Sequence, residues 1–95
     1  MFSFEDACEK MYDNCRLWGY PGIGSICDVG NEWGFLPAPQ VKGERLPMGE
    51  LPYFVSKDTG ETRNMVFDVP DLLLIKGAKK IEVPEKYRPA YSRGE

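Results

Sequence analysis

Residues 52–67 read PYFVSKDTGETRNMVF, and the triplet Asp58-Thr59-Gly60 within them decides how the chain is to be folded. One reading makes the triplet half of a paired-carboxylate site, completed by a second copy of this 95-residue chain. The other makes it a tight turn between two strands. As a turn it forms a three-residue hairpin loop, type I with Gly60 in the left-handed conformation. Lys57 then faces Glu61 as an opposite-charge cross-strand pair. Tyr53, Val55, Met65 and Phe67 share one side, and Ser56, Thr62 and Asn64 fall on the other. Each local choice agrees with a strand, a turn and a returning strand.

The catalytic alternative, a dimeric aspartic protease using Asp58, meets conflict at each step. The Asp of that family follows an apolar strand, whereas Ser56-Lys57 precede Asp58 and Glu61 follows the glycine. Two facing carboxylates must share a proton in an enclosed site, and the charges around Asp58 suit an exposed tip. The turn is therefore adopted and no catalytic residue is assigned. Histidine is absent, which removes the commonest general base and every Ser-His or Cys-His arrangement.

Upstream, Ser3 followed by Asp6 resembles a capping box. Phe4, Ala7, Cys8, Met11, Tyr12, Cys15 and Trp18 then recur at intervals of three and four, predicting an amphipathic helix with Glu5, Glu9 and Asp13 outward. Gly19-Tyr20-Pro21-Gly22 stops it. The next stretch predicts a hairpin turning at Gly30-Asn31, with Ile23, Ser25, Cys27 and Val29 on one strand face. Gly34 between two aromatic residues marks a bulge or the close approach of another backbone. Residues 37–50, PAPQVKGERLPMGE, form a long loop and a candidate contact surface.

Downstream, Pro70 and Asp71 open a short second helix near residues 70–77, ended by Gly77, with a buried strand as the alternative reading of the four consecutive apolar residues Leu72 to Ile75. Ala78 to Pro84 alternates briefly and reads as an edge strand guarded by lysines and a terminal proline. The chain from about residue 85 reads as a surface tail, with Tyr87 and Tyr91 as the residues able to dock it. The whole is one α+β domain over residues 1–95: an N-terminal helix packed on a small, mainly antiparallel sheet of four or five strands.

Cys8 and Cys15 lie two helical turns apart, about 10 Å by rise, too far for a disulfide. They read as small buried hydrophobes in a reducing compartment, and a cytoplasmic location is expected. No cofactor and no metal site are assigned. No stretch is long and apolar enough to span a membrane. Charge is uneven: residues 1–50 carry −4, 51–75 carry −2 and 76–95 carry +3. That basic end is too sparse for a nucleic-acid footprint.

The order of elements, with FEDA opening the helix, EWGF in a strand pair and PYFVSKDTGE before a second helix, resembles the small bacterial immunity domains of the immunity protein 35 (YrhB-like) group. The residues that carry the likeness are Trp33 and Phe35, then Pro52, Val55, Lys57, Thr59, Gly60 and Glu61. The resemblance implies a non-enzymatic protein that binds and neutralises a toxin of the same cell, and it transfers no particular binding residue.

The expected activity is that of a protein-binding module, an immunity-type toxin inhibitor, with Trp33, Phe35, Arg45, Met48 and Tyr53 as candidate contacts. The acidic N-terminal half suits a basic partner. An accessory protein of a phage or mobile element that inhibits a host defence factor would use the same physics. A homo-oligomer without an inhibitory role is a further alternative.

Overall fold

Ser3 opens the first helix: its Oγ accepts the Asp6 backbone N–H at 3.0 Å, satisfying a donor that a helix start leaves unpaired. The computed structural model describes residues 2–46, 52–65 and 69–92, and in it helix α1 runs Phe4–Leu17. Ala7, Cys8, Met11 and Cys15, spaced by the helical repeat, are buried, while Glu5, Glu9 and Asp13 are exposed. Past Leu17 the periodicity no longer governs. Trp18 is the capping residue and is 45% exposed, so it leaves the core stripe predicted for it.

Five strands follow: β1 Ile23–Asp28, β2 Glu32–Pro37, β3 Tyr53–Ser56, β4 Thr62–Asn64 and β5 Lys79–Ile81. Their order is β4-β3-β2-β1-β5, and every neighbouring pair is antiparallel. Helix α2, Val69–Lys76, lies between β4 and β5 in the chain, which thereby passes from one sheet edge to the other. Two 3-10 turns, Glu85–Tyr87 and Ala90–Ser92, follow β5. The architecture is α+β, a helix packed on an antiparallel sheet with a short second helix.

α1 covers one face of the sheet. Its buried residues meet Ile23, Ile26, Trp33, Phe35 and Val55 from the strands, and Val83 and Tyr87 from the C-terminal segment. Burial of a side chain such as Phe35, fully enclosed here, stabilises by roughly 2–3 kcal/mol.

Several expectations change. Ile23 and Ile26 are both buried, so alternation is broken within β1. The register slips between Ile23 and Ser25, a bulge that returns Ile26 to the helix side and puts Cys27 on the other face. Gly24 sits in that bulge because a Cβ there would lie 2.7 Å from the Pro37 carbonyl oxygen. At Gly34, paired with Cys27 and Phe54, the close neighbours are side chains rather than backbone. An added Cβ would meet Cys27 Sγ at 2.8 Å and the Phe54 ring at 3.1 Å. The segment after residue 85 is docked. Tyr87 is buried with its ring 5.8 Å from that of Tyr12, and the Tyr91 hydroxyl donates to Pro39 O at 2.7 Å.

The β1–β2 turn falls at Gly30-Asn31 as predicted. Gly30 has φ +106 and Asn31 does not share the positive sign, so the turn is not of type I′. The β3–β4 hairpin is one residue out of the predicted register. Val55 pairs with Thr62, and Ser56 N–H donates to Glu61 O at 2.9 Å. The loop therefore has four residues, Lys57 to Gly60, closed by Gly60 N–H to Ser56 O at 2.9 Å with Gly60 at φ +75. Thr62 and Asn64 consequently join the side of Val55 and Tyr53, and Lys57 is released from Glu61. Phe67 lies outside the described residues.

Candidate functional site

The sheet has two chemically different ends. At the first, the β1–β2 and β3–β4 turns stand beside the start of α1. Ser56 Oγ accepts the backbone N–H groups of Asp58 and Thr59 at 3.2 and 3.3 Å, so the bend is capped by Ser56 and not by the Asp58 carboxylate. Asp58 and Thr59 are exposed, whereas Gly60 is buried under the Phe2 ring. The Phe2 N–H donates to Lys57 O at 2.7 Å, and Lys10 Nζ donates to Gly60 O at 2.6 Å.

Lys57 turns inward. Its ammonium donates to Asp28 Oδ1 at 2.8 Å and stands 5.4 Å from the centroid of the Trp33 ring, which Phe4 meets edge-on. Asp28 also accepts the Gly30 N–H at 2.8 Å. These two donors, Lys57 foremost, hold the Asp28 carboxyl below its ordinary value. This end of the molecule is closed by its own chemistry.

The second end is where α1 finishes and the loop after β2 begins. Trp18 packs at a 30° tilt on Tyr53, with centroids 4.5 Å apart. Gln40 Nε2 donates to Gly19 O, which ties the loop after β2 to the residue after Trp18. Ala38 N–H to Gly22 O and Glu44 N–H to Val41 O hold the loop. Leu17 is 82% exposed and Val41 56%, so three apolar side chains and the rim of Tyr53 face solvent here. Leu17 continues the outer stripe of α1 through Glu9 and Asp13, whose carboxylates have no ion-pair partner among the described residues.

Of the residues chosen from sequence as partner contacts, Tyr53 lies in this patch and Arg45 is exposed on the adjoining loop. Met48 lies outside the described residues. Trp33 and Phe35 belong to the core beneath α1, at 8% and 0% exposure, which leaves almost no surface for a partner. Leu17, Trp18 and Val41 were missed. The signal was present at Leu17, an apolar residue on the charged stripe of the helix.

The Cys8 and Cys15 side chains are buried and form no disulfide, and burial pushes the Cys8 thiol up to about 12, so it stays protonated at neutral pH. Among the described residues no group of three His, Cys, Asp or Glu comes together as a metal site, and no helix is long and apolar enough to cross a membrane. Comparison with protein-family models, with curated proteins and with solved structures found no match.

Proposed function

We propose that this chain is a non-enzymatic binding module that neutralises a basic protein, with the patch formed by Leu17, Trp18, Val41 and Tyr53 as its contact. The observation that carries the reading is the exposed Trp18 stacked on Tyr53. Two aromatic rings already held together offer apolar area at little entropic cost, and Trp and Tyr are the commonest anchors of protein interfaces. The Glu9–Asp13–Leu17 stripe supplies the acidic flank that attracts a cationic partner and fixes its orientation. The three cysteines form no disulfide, and two of them are buried in the core, which supports a reducing cytoplasm as the working compartment. Inhibition then follows from covering the partner's surface, typically about 800 Å² per side.

The test is retention of a protein partner from the native host at near-stoichiometric level, repeated with Trp18→Ala. Wild type holds the partner with an affinity that falls as ionic strength rises, and Trp18→Ala weakens it by roughly thirtyfold or more. Recovery of no partner, or full retention by Trp18→Ala, overturns the reading. Binding indifferent to salt removes the electrostatic component.

A further inference from the structure

The two edges of the sheet are treated differently by the chain. Edge strand β5 carries Lys79 and Lys80, both exposed, the usual guard against pairing with a foreign strand. Edge strand β4 has neither lysine nor proline. Its one cation is drawn inward. Arg63 Nε and Nη2 donate to the two Glu32 carboxylate oxygens at 2.9 and 3.0 Å, and the guanidinium carbon stands 4.6 Å from the centroid of the Phe54 ring. Arg63 thus lies back over β3 toward β2, on the face away from α1, and leaves the edge unguarded.

The backbone of β4 faces outward at two residues. Along an antiparallel ladder, pairs that exchange hydrogen bonds alternate with pairs that do not. Ser56 N–H donates to Glu61 O at 2.9 Å and Met65 N–H to Pro52 O at 3.0 Å, so the bonded set on this ladder contains the Phe54–Arg63 pair. Thr62 and Asn64 belong to the other set. Lys57 N–H to Asn31 O at 3.0 Å fixes the same phase, because it turns their partners Val55 and Tyr53 toward β2. The N–H and C=O of Thr62 and of Asn64 therefore point away from the sheet. Among the described residues no hydrogen bond takes them, and both residues are exposed.

We propose that this edge binds an extended, cationic segment of a partner protein, which joins the sheet as a further strand. The outward groups of Thr62 and Asn64 hold its backbone. Side chains of the segment opposite these two residues fall on the face of Tyr53, the direct partner of Asn64, which already carries the half-exposed Trp18. Apolar residues belong at those alternate positions. Glu61, immediately before β4, is exposed and has no ion-pair partner among the described residues, so it draws the cation. A second copy of this chain fits less well. The register that engages Thr62 and Asn64 in both copies sets Arg63 opposite Arg63, like charge on like. The inference rests on the binding-module reading and gives it a mode of docking.

The probe is a peptide of two Val-Thr-Val-Lys repeats, blocked at both ends, titrated into the whole chain and followed by amide shifts and amide exchange. In antiparallel register it sets Val opposite Asn64 and Thr62, and Lys opposite Glu61. In the free chain the Thr62 and Asn64 amides exchange far faster than that of Arg63, and saturating peptide slows both by about tenfold or more. Thr62→Pro removes an outward donor without touching the ladder to β3, so the sheet spectrum is kept while peptide binding weakens by about tenfold. Thr62→Val, which keeps the N–H, binds as wild type does. Glu in place of each peptide Lys weakens binding by about fivefold. Absence of saturable peptide binding overturns the proposal, as does protection of the Thr62 and Asn64 amides in the free chain. So does unchanged affinity for Thr62→Pro or for the Glu peptide, or a dimer in light scattering that Thr62→Pro abolishes. Should Thr62→Pro fail to fold, exchange on the wild-type chain decides. A host partner lost by Trp18→Ala but kept by a folded Thr62→Pro sinks the added strand and leaves the binding-module reading standing.

Discussion

At one end of the sheet Lys57 is enclosed by Asp28 and Trp33, and the 57–60 turn is clamped by Phe2 and Lys10. At the other end Trp18 rests on Tyr53 with nearly half its surface in water, and Leu17 beside it in the chain and Val41 on the adjoining loop are exposed. Both ends contain aromatic residues, a glycine with positive φ and exposed loop backbone. They differ in whether the charged and apolar groups have found partners within the chain. The end that carries the Asp-Thr-Gly triplet has committed its groups to folding, and the end without any recognisable motif has groups left over. The proposed contact rests on that second set of groups.

Gly60 offers the hardest test of that contrast. Gly60→Ala must hold a side chain at φ +75, and its Cβ would stand 2.5 Å from the Phe2 ring. A loss of roughly 2–4 kcal/mol is expected, from backbone strain and displaced packing together. Gly30→Ala, at φ +106 with nothing within 4 Å, pays the strain alone, about 1–2 kcal/mol. Urea midpoints at unchanged slope compare the two. Equal losses would mean that Phe2 does not clamp the turn, and the contrast between the ends would weaken.

Lys57→Met removes the ion pair with Asp28 and the cation over Trp33 while keeping the aliphatic stem. About 1 kcal/mol should be lost, since both side chains of the pair are only partly exposed but not sealed. The same variant carries a pH signature. Asp28 is held below its ordinary 3.8 in the folded chain, so in acid the unfolded state binds more protons and folding stability rises with pH. That contribution is complete above 3.8 and is lost as pH falls through the depressed folded value. Glu5, lowered by Lys86, adds to it with the same sign. Denaturation midpoints between about pH 5 and pH 2 should fall less steeply for Lys57→Met than for wild type. Parallel curves would show that Lys57 does not control Asp28.

At the open end the expected stability effects are smaller. Trp18→Ala gives up a half-exposed stacking contact worth about 0.5–1.5 kcal/mol, so partner affinity should fall far more than the melting temperature. A loss of fold as large as that of Gly60→Ala would make Trp18 a structural residue. Smallest of all is Asp58→Asn, which touches an exposed carboxylate on a turn capped by Ser56. Midpoint and partner retention should both stay within about 0.5 kcal/mol of wild type.

Local signals in the sequence were read correctly where a residue and its immediate neighbours decide the outcome. Ser3 and Gly19 bound α1, and Gly30-Asn31 turns the first hairpin. Errors arose where a distant group casts the deciding vote. Gly60 can close a loop of three residues or of four. The longer loop wins as Phe2 N–H reaches Lys57 O and Asp28 takes the Lys57 ammonium, contacts that sequence spacing does not encode. The faces of β1 were misjudged because the Gly24 bulge responds to Pro37 and Ala38 on a neighbouring segment. The candidate site was only partly legible. Tyr53 was named, but Trp18 was absorbed into a periodicity that ends one residue before it. Trp33 and Phe35 were chosen for being aromatic, and a small core claims large rings first.

The chain has two tryptophans, and their surroundings make them separate optical reporters. Trp33, with Phe4 against its edge and Lys57 over its face, emits from a dry setting, while Trp18 emits from a wet one. A dissolved quencher such as iodide reaches only the second until the fold opens. If the proposed partner covers the Trp18 patch, its occupancy shields Trp18, and denaturation uncovers Trp33. Docking and unfolding can therefore be followed in one cuvette, without a label, as two distinguishable signals.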